Sequence, residues 1–235
     1  MSSTPIAVIM AGGRGQRLRP LTDKVPKPLL KVGTSTIIER IIGALVEAGV
    51  IDIFLSVNYK AQVFEERLGD GEKLGAKLHY LREMKKLGTA GSLGLLPVTP
   101  EGPILVTNAD ILTRLDFGGL LDFHRGHGAP ATVAVVRFLA PIPYGVVRTD
   151  EGRLTGLEEK PEVPVLCNAG IYVLEPEVLG FVGDDEALNM PELLERLLAK
   201  GREVRIFEIT EKWFDIGSPE DFQRVLIEFA TGEEE

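Results

Sequence analysis

The chain has one cysteine, Cys167, among 235 residues. An intramolecular disulfide is therefore excluded, and a lone thiol fits a reducing, cytoplasmic setting. Long apolar runs are missing, so no segment reaches membrane-spanning length, and no basic-then-apolar leader opens the chain. Neither a membrane nor secretion is expected. Positive charge is in deficit, with a net charge of −9. A general nucleic-acid surface would be basic, so nucleic acid is not an expected partner. A local basic loop on an acidic protein can still bind an anion. His79, His124 and His127 fall in no catalytic motif and receive no catalytic role. Two common glycine motifs are absent too. No G-x-x-x-x-G-K-[ST] occurs, and Gly13-x-Gly15-x-x-Leu18 lacks the third glycine of the dinucleotide fingerprint. No linker, repeat or low-complexity segment divides the chain. One domain over residues 1–235 is expected, with Gly232-Glu-Glu-Glu235 as a solvated end.

What the sequence does have begins at Ile6. The apolar run from Ile6 to Ala11 suits a buried parallel strand. It stops at Gly12-Gly13, and Gly15 follows. Glycines this dense let the backbone approach a ligand and point bare N–H groups at it. Arg14, Arg17 and Arg19 add positive charge. Lys27 sits between Pro26 and Pro28, which restrict its backbone, on a loop expected at the surface. A polyphosphate fits this chemistry: amides fix it, and Arg and Lys neutralise it.

Beyond that loop, strand and helix patterns alternate. Ile37, Ile38, Ile41, Ile42, Leu45 and Val46 repeat with helical period, and Gly49 ends the helix. Strands are expected at 51–57, 77–81, 103–107 and 131–136. Helices are expected at 60–68, 89–96 and 117–126. This order predicts an α/β fold: a three-layer α/β/α sandwich around a mostly parallel sheet, with ligands at the carboxyl ends of its strands. From about 144 the texture changes to a hairpin turning at Glu151-Gly152, then a strand at 166–174. Residues 138–172 are expected to form a small antiparallel lobe. Helices are expected at 190–200 and 219–229, the last capped by Ser218.

Taken whole, Gly-Gly-x-Gly-x-Arg-Leu-x-Pro-Leu-Thr-x-x-x-Pro-Lys-Pro resembles the signature of the sugar-1-phosphate nucleotidyltransferases. Gln16 departs from it, where the family usually carries Thr or Ser. Later motifs continue the resemblance in order. Leu87-Gly-Thr-Ala-Gly91 is similar to the family's nucleobase-side loop, and also reads as a plain helix start. Asn108-Ala-Asp110 is similar to Asn-Gly-Asp, with alanine replacing glycine. Tyr144-Gly145, Glu158-Glu-Lys-Pro161 and Asn168-Ala-Gly170 resemble sugar-side motifs, although the charged cluster also reads as a solvated face. Trp213-Phe-Asp-Ile-Gly217 resembles the closing motif.

The resemblance implies a Rossmann-like fold and transfer of a nucleotidyl group from a nucleoside triphosphate to a sugar-1-phosphate, releasing pyrophosphate. It implies nucleotide contacts from Ala11, Gly12, Gly13, Gly15, Arg17, Gly88 and Thr89. Tyr144, Gly145, Glu159, Lys160 and Asn168 would serve the sugar phosphate. Arg17 and Lys27 would hold phosphates, and Asp110 and Asp215 would hold Mg²⁺, meeting where strands of the parallel sheet end. The compact guanylyltransferases for mannose- and heptose-type sugars are the nearest in pattern, without the C-terminal β-helix of many relatives. Thymidylyl- and uridylyltransferases for glucose-1-phosphate share the motifs. A non-catalytic nucleotide-sugar-binding subunit is the alternative of another class, and the retained charged residues count against it. A homo-oligomer stays open.

Overall fold

The computed structural model describes residues 3–13, 15–58 and 60–230. Seven strands form the central sheet: Ile6–Met10 (β1), Asp52–Val57 (β2), Lys77–Arg82 (β3), Ile104–Asn108 (β4), Ala131–Pro141 (β5), Glu162–Leu174 (β6) and Val204–Ile209 (β7). Their spatial order is β7-β5-β6-β4-β1-β2-β3. Only β6 runs antiparallel to its neighbours, β4 and β5; the other pairings are parallel. The apolar run of β1 has a simple cause. Ala7 and Ile9 enter one core cluster and Val8 the other, so both faces of the strand are covered.

Five helices supply the covering layers: Ile37–Glu47 (α1), Ala61–Leu68 (α2), Phe117–His127 (α3), Met190–Ala199 (α4) and Pro219–Ala230 (α5). Ile42 and Leu45 of α1, Phe64 of α2, Leu120 of α3 and Val225 of α5 pack on one face of the sheet. Met190, Leu193 and Leu197 of α4 pack on the other, with Val178 and Leu93. Three layers follow. A capping box starts α1: the Glu39 N–H donates to Thr36 Oγ1 at 3.3 Å, and the Thr36 N–H donates to Glu39 Oε2 at 2.6 Å. Such a cap contributes about 1 kcal/mol. Ile37, Ile38, Ile42 and Leu45 are each fully buried. At roughly 1.5–3 kcal/mol each, burial outweighs capping in holding the helix. Ser218 caps α5 as expected, accepting from the Asp221 N–H at 3.1 Å.

Three departures from the sequence pattern bear on the site. The helix expected at 89–96 is a single turn, Gly88–Gly91, followed by a 3₁₀ turn, Ser92–Leu95. Residues 186–188 pack against the start of this turn. The Leu188 carbonyl takes the Ala90 and Gly91 N–H groups, and the Glu186 carbonyl lies 2.1 Å from where a Cβ on Gly91 would sit. Second, β5 and β6 run past their expected ends into an exposed ribbon. The hairpin Val146–Asp150 and Arg153–Glu158 is built beyond it, with Glu151 and Gly152 both at positive φ, a primed two-residue turn. Ile171 and Tyr172, although within the span assigned to the lobe, pair with β4 in the main sheet, as do Val173 and Leu174. Third, β7 carries no expectation from sequence: three of its six residues are exposed, as on an edge strand, so the apolar alternation is weak.

The histidines on α3 have a structural use. The Ala129 N–H donates to His127 Nδ1 at 2.9 Å, which leaves His127 Nε2 to donate to Thr132 Oγ1 at 3.0 Å. The Thr132 hydroxyl then donates to His124 Nδ1 at 2.7 Å, and His124 Nε2 donates to Glu175 at 3.1 Å. Burial lowers the His124 pKa from its ordinary 6.5, against the pull of Glu175, with His127 and Arg125 adding to the lowering. The folded protein therefore binds fewer protons here than the unfolded chain, and stability present above pH 6.5 is lost as pH falls below it. Urea midpoints measured across that range are expected to fall with pH. A His124→Gln variant, less stable at neutral pH, is expected to show a flatter dependence over the same range.

Candidate active site

The site is built at the carboxyl edge of β1 and β4. Beyond β1, the Ala11 N–H donates to the Ser56 carbonyl at 2.8 Å, and the chain turns. Gly15 has φ +59, and a Cβ there would lie 3.1 Å from both Lys27 Cβ and Thr22 Cγ2. Glycine is needed at this position for two reasons at once: left-handed backbone and close approach. Thr22 Oγ1 locks the turn by donating to the Gly15 carbonyl at 2.8 Å. The Gln16–Leu18 turn then buries Leu18 and leaves Gln16 and Arg17 free to face the cleft. Arg17 Nη1 lies 3.5 Å from the Cβ position of Gly217, so its guanidinium spans from the glycine loop to the segment after Asp215. Arg19 turns away and pairs with Asp23. Arg14 lies outside the described residues, as does the acidic tail.

Lys27 is not on an open surface loop, as its sequence context suggested. It is 8% exposed, because Leu29 and Leu30 just after it enter the core and draw the Pro-Lys-Pro turn inward. Its Nζ lies 2.7 Å from Asp110 Oδ2. Asp110 follows β4 in a turn held by the Ala109 N–H donating to the Met10 carbonyl. Asp215 reaches Asp110 by a route the sequence did not suggest. The short strands Ile111–Thr113 and Trp213–Asp215 pair antiparallel, apart from the main sheet, placing Asp215 opposite Ile111. The Ile216 N–H donates to the Asp110 carbonyl at 3.0 Å. Trp213 anchors this pair, its Nε1–H donating to the Ala169 carbonyl at 3.0 Å. Burial and the nearby Asp110 carboxylate push the Asp215 pKa up, while Lys27 and Arg17 pull it down.

Two clefts meet at these residues. The first, about 320 Å³, is lined by Ala11, Gly13, Gly15, Arg17, Lys86 and Asp110 among others. The second, about 550 Å³, shares Arg17 and Asp110 and adds Thr89, Asn168, Glu192 and Asp215. Gly12 lines neither; a Cβ there would meet Glu83 Oε1 at 2.8 Å. Gly88 lines neither as well, since the Leu188 carbonyl lies 2.5 Å from its Cβ position. Thr89 faces the second cleft while its hydroxyl accepts from the Met190 N–H at 2.9 Å. Asn168 opens a bulge in β6: its Oδ1 accepts from the Gly170 N–H, and Gly170 has φ +72 beside Asn108. Tyr144, Gly145, Glu159 and Lys160 gather at the base of the hairpin. The Lys160 N–H donates to the Tyr144 carbonyl, and Glu159 Oε2 lies 2.9 Å from the Cβ position of Gly145. Those four line neither cleft.

The sequence reading missed Glu83. One carboxylate oxygen accepts from Ser56 Oγ at 2.5 Å and the other from the Leu87 N–H at 3.1 Å, tying β2 to the Leu87 loop beside Gly12. It missed Lys86 and Glu192 as cleft residues too; Lys86 directly precedes the Leu87 motif, the one local hint available. Among the described residues, no group of three or more His, Cys, Asp or Glu side chains is placed to hold a metal. Two adjacent carboxylates that repel each other still suit a hard divalent cation that draws its remaining ligands from phosphate and water.

A mostly parallel sheet with its cleft at the carboxyl edge defines the class: an α/β protein of doubly wound type. The chain belongs to the nucleotidyl transferase family, which it matches over residues 6–231. It is 38% identical over 224 residues to the mannose-1-phosphate guanylyltransferase catalytic subunit beta of Drosophila pseudoobscura pseudoobscura, with 92% of this chain and 60% of that protein covered. It is 35% identical over 233 residues to the mannose-1-phosphate guanylyltransferase of Mycobacterium tuberculosis, with 96% and 65% covered. The chain thus spans under two thirds of these relatives' length. Its fold matches the crystal structure of a putative glucose-1-phosphate thymidylyltransferase from Bacillus anthracis, with a TM-score of 0.80 at 23% identity, covering 97% of this chain and 96% of that one. It also matches HddC from Yersinia pseudotuberculosis complexed with GMP-PN, with a TM-score of 0.73 at 23% identity, covering 96% and 99%.

Proposed function

We propose that this chain transfers a nucleotidyl group from a nucleoside triphosphate to a sugar-1-phosphate, with GTP and a mannose-type sugar as substrates. The observation that carries the reading is the meeting of Arg17, Lys27, Asp110 and Asp215 where the two clefts join. The substrate choice is supported by the names of the relatives from Drosophila and Mycobacterium.

In this reading the first cleft takes the triphosphate. Amides of the glycine loop fix it, and Arg17 holds the departing phosphates. The acceptor's phosphate oxygen attacks the α-phosphorus in line, and the bond to the β-phosphate oxygen breaks. A phosphate already ionised needs no strong general base, so alignment and charge neutralisation carry the rate. Lys27 lies between the two anions and offsets their repulsion. Asp110 and Asp215 hold Mg²⁺, which when bound supplies further charge neutralisation at the phosphate oxygens. Asn168 faces the second cleft and serves the sugar hydroxyls. Tyr144, Gly145, Glu159 and Lys160 act on the sugar phosphate from the lobe, a role supported by their grouping at the hairpin base. Thr89 serves the nucleobase side, whereas Gly88, whose space the Leu188 carbonyl fills, shapes the loop that presents it. The whole forms one catalytic unit with a sugar-side lobe, working in the cytoplasm.

A pyrophosphate-release matrix tests the reading: five nucleoside triphosphates against several sugar-1-phosphates. The largest kcat/KM is expected for GTP with mannose-1-phosphate. Release with dTTP or UTP and glucose-1-phosphate would reassign the substrates. Release with none would refute catalysis. Glu159→Ala is expected to raise KM for the sugar-1-phosphate about tenfold or more, with KM for the triphosphate nearly unchanged. Equal shifts in both would reduce the cluster to a solvated face.

A further inference from the structure

We propose that Lys27 stands in for the divalent cation at Asp110 while the clefts hold no nucleotide, so that metal and triphosphate load together. This rests on the reading above, in which Asp110 and Asp215 hold the metal.

The geometry points to competition for one oxygen. Lys27 Nζ lies 2.7 Å from Asp110 Oδ2, with the lysine side chain 9% exposed and the aspartate 35%. An ammonium so far removed from water needs an anionic partner. Among the described residues Asp110 is the one partner it has. Its backbone is set between Pro26 and Pro28, and Leu29 and Leu30 just after it are buried. Around this contact Arg17 and Lys27 face Asp110 and Asp215, with Asp221 also near. A divalent ion arriving alone would strip the buried ammonium of its acceptor. A triphosphate removes that obstacle, because its oxygens give Lys27 a new acceptor.

Binding of Mn²⁺ alone, followed by electron paramagnetic resonance, tests the proposal without turnover. Wild type is expected to bind weakly. Lys27→Met is expected to bind about tenfold tighter or more, because the competing charge is gone. Asp110→Asn in the Lys27→Met background is expected to abolish that gain. A folded Lys27→Met protein with wild-type Mn²⁺ affinity would overturn the proposal. The wild-type protein supplies a second readout that depends on no variant. Lys27 is the one buried lysine among the described residues, so its slowly exchanging Nζ signal in ¹⁵N spectra identifies it. That signal is expected to persist in excess Mg²⁺ and to shift only when a non-hydrolysable triphosphate is added with the metal. Loss of the signal with Mg²⁺ alone would overturn the proposal. Failure of the underlying reading is distinguishable, because wild type would then bind no Mn²⁺ at Asp110 even with triphosphate present.

Discussion

Lys27→Ala is expected to lower kcat about a thousandfold, equivalent to about 4 kcal/mol of transition-state stabilisation, with KM for either substrate changed far less. The amine is held within ion-pair distance of Asp110 at the junction of the clefts, where the proposed reaction brings two phosphate groups together. Its backbone is fixed by flanking prolines and by buried Leu29 and Leu30, so the charge is already in place before reaction. Preorganised charge in a site shielded from water acts more strongly than the same charge in solution. Stability should suffer as well. Truncation leaves Asp110 without its cation, but that carboxylate is partly solvated, so the loss should be about 1–2 kcal/mol. Lys27→Arg keeps the charge but not the compact ammonium, and should recover little activity. Steady-state kinetics paired with denaturant unfolding separates the two effects. A folded Lys27→Ala protein with turnover within a few-fold of wild type would refute the role.

The second large effect concerns the acidic pair. Asp110→Asn and Asp215→Asn should each lower turnover roughly 10²–10³-fold, the loss of several kcal/mol expected when a catalytic metal's ligand is removed. The double variant should be little worse than either single one, because in the proposed reading one ion is held by both carboxylates and the effects cannot add. Stability should move the other way at position 215. Burial and the Asp110 charge disfavour ionised Asp215, so Asp215→Asn removes a repulsion and should be tolerated or slightly stabilising. A chelator should abolish activity, and Mg²⁺ should restore it. Full turnover in excess chelator would show that the pair has another use.

Much of this was legible in the chain. The apolar run of β1 followed by Gly12, Gly13 and Gly15 marks a strand that ends at a glycine loop beside the first cleft. The helical period from Ile37 to Val46 and the Ser218 cap came out as expected. These are local signals: backbone freedom, side-chain period and capping chemistry act over a few residues, and the sequence alone determines them. The charged residues of the motifs were also identifiable, since their types do not depend on the fold.

Their partners did depend on it. Nothing between residues 27 and 110 announces that the lysine is buried against the aspartate; two distant turns must be brought to one sheet edge by β1 and β4. Asp110 and Asp215 meet through a two-stranded ladder whose three-residue strands are too short to show a period. Gly88 was expected to contact the nucleotide, yet its space and that of Gly91 are filled by residues 186–189, a contact set only when α4 packs on the sheet. Glu83 is an ordinary carboxylate in sequence and becomes a tie between β2 and the Leu87 loop only in three dimensions. Backbone pattern is written locally, whereas the distance between residues far apart in the chain is settled by which faces bury the most apolar surface together, and that is decided by the packed molecule.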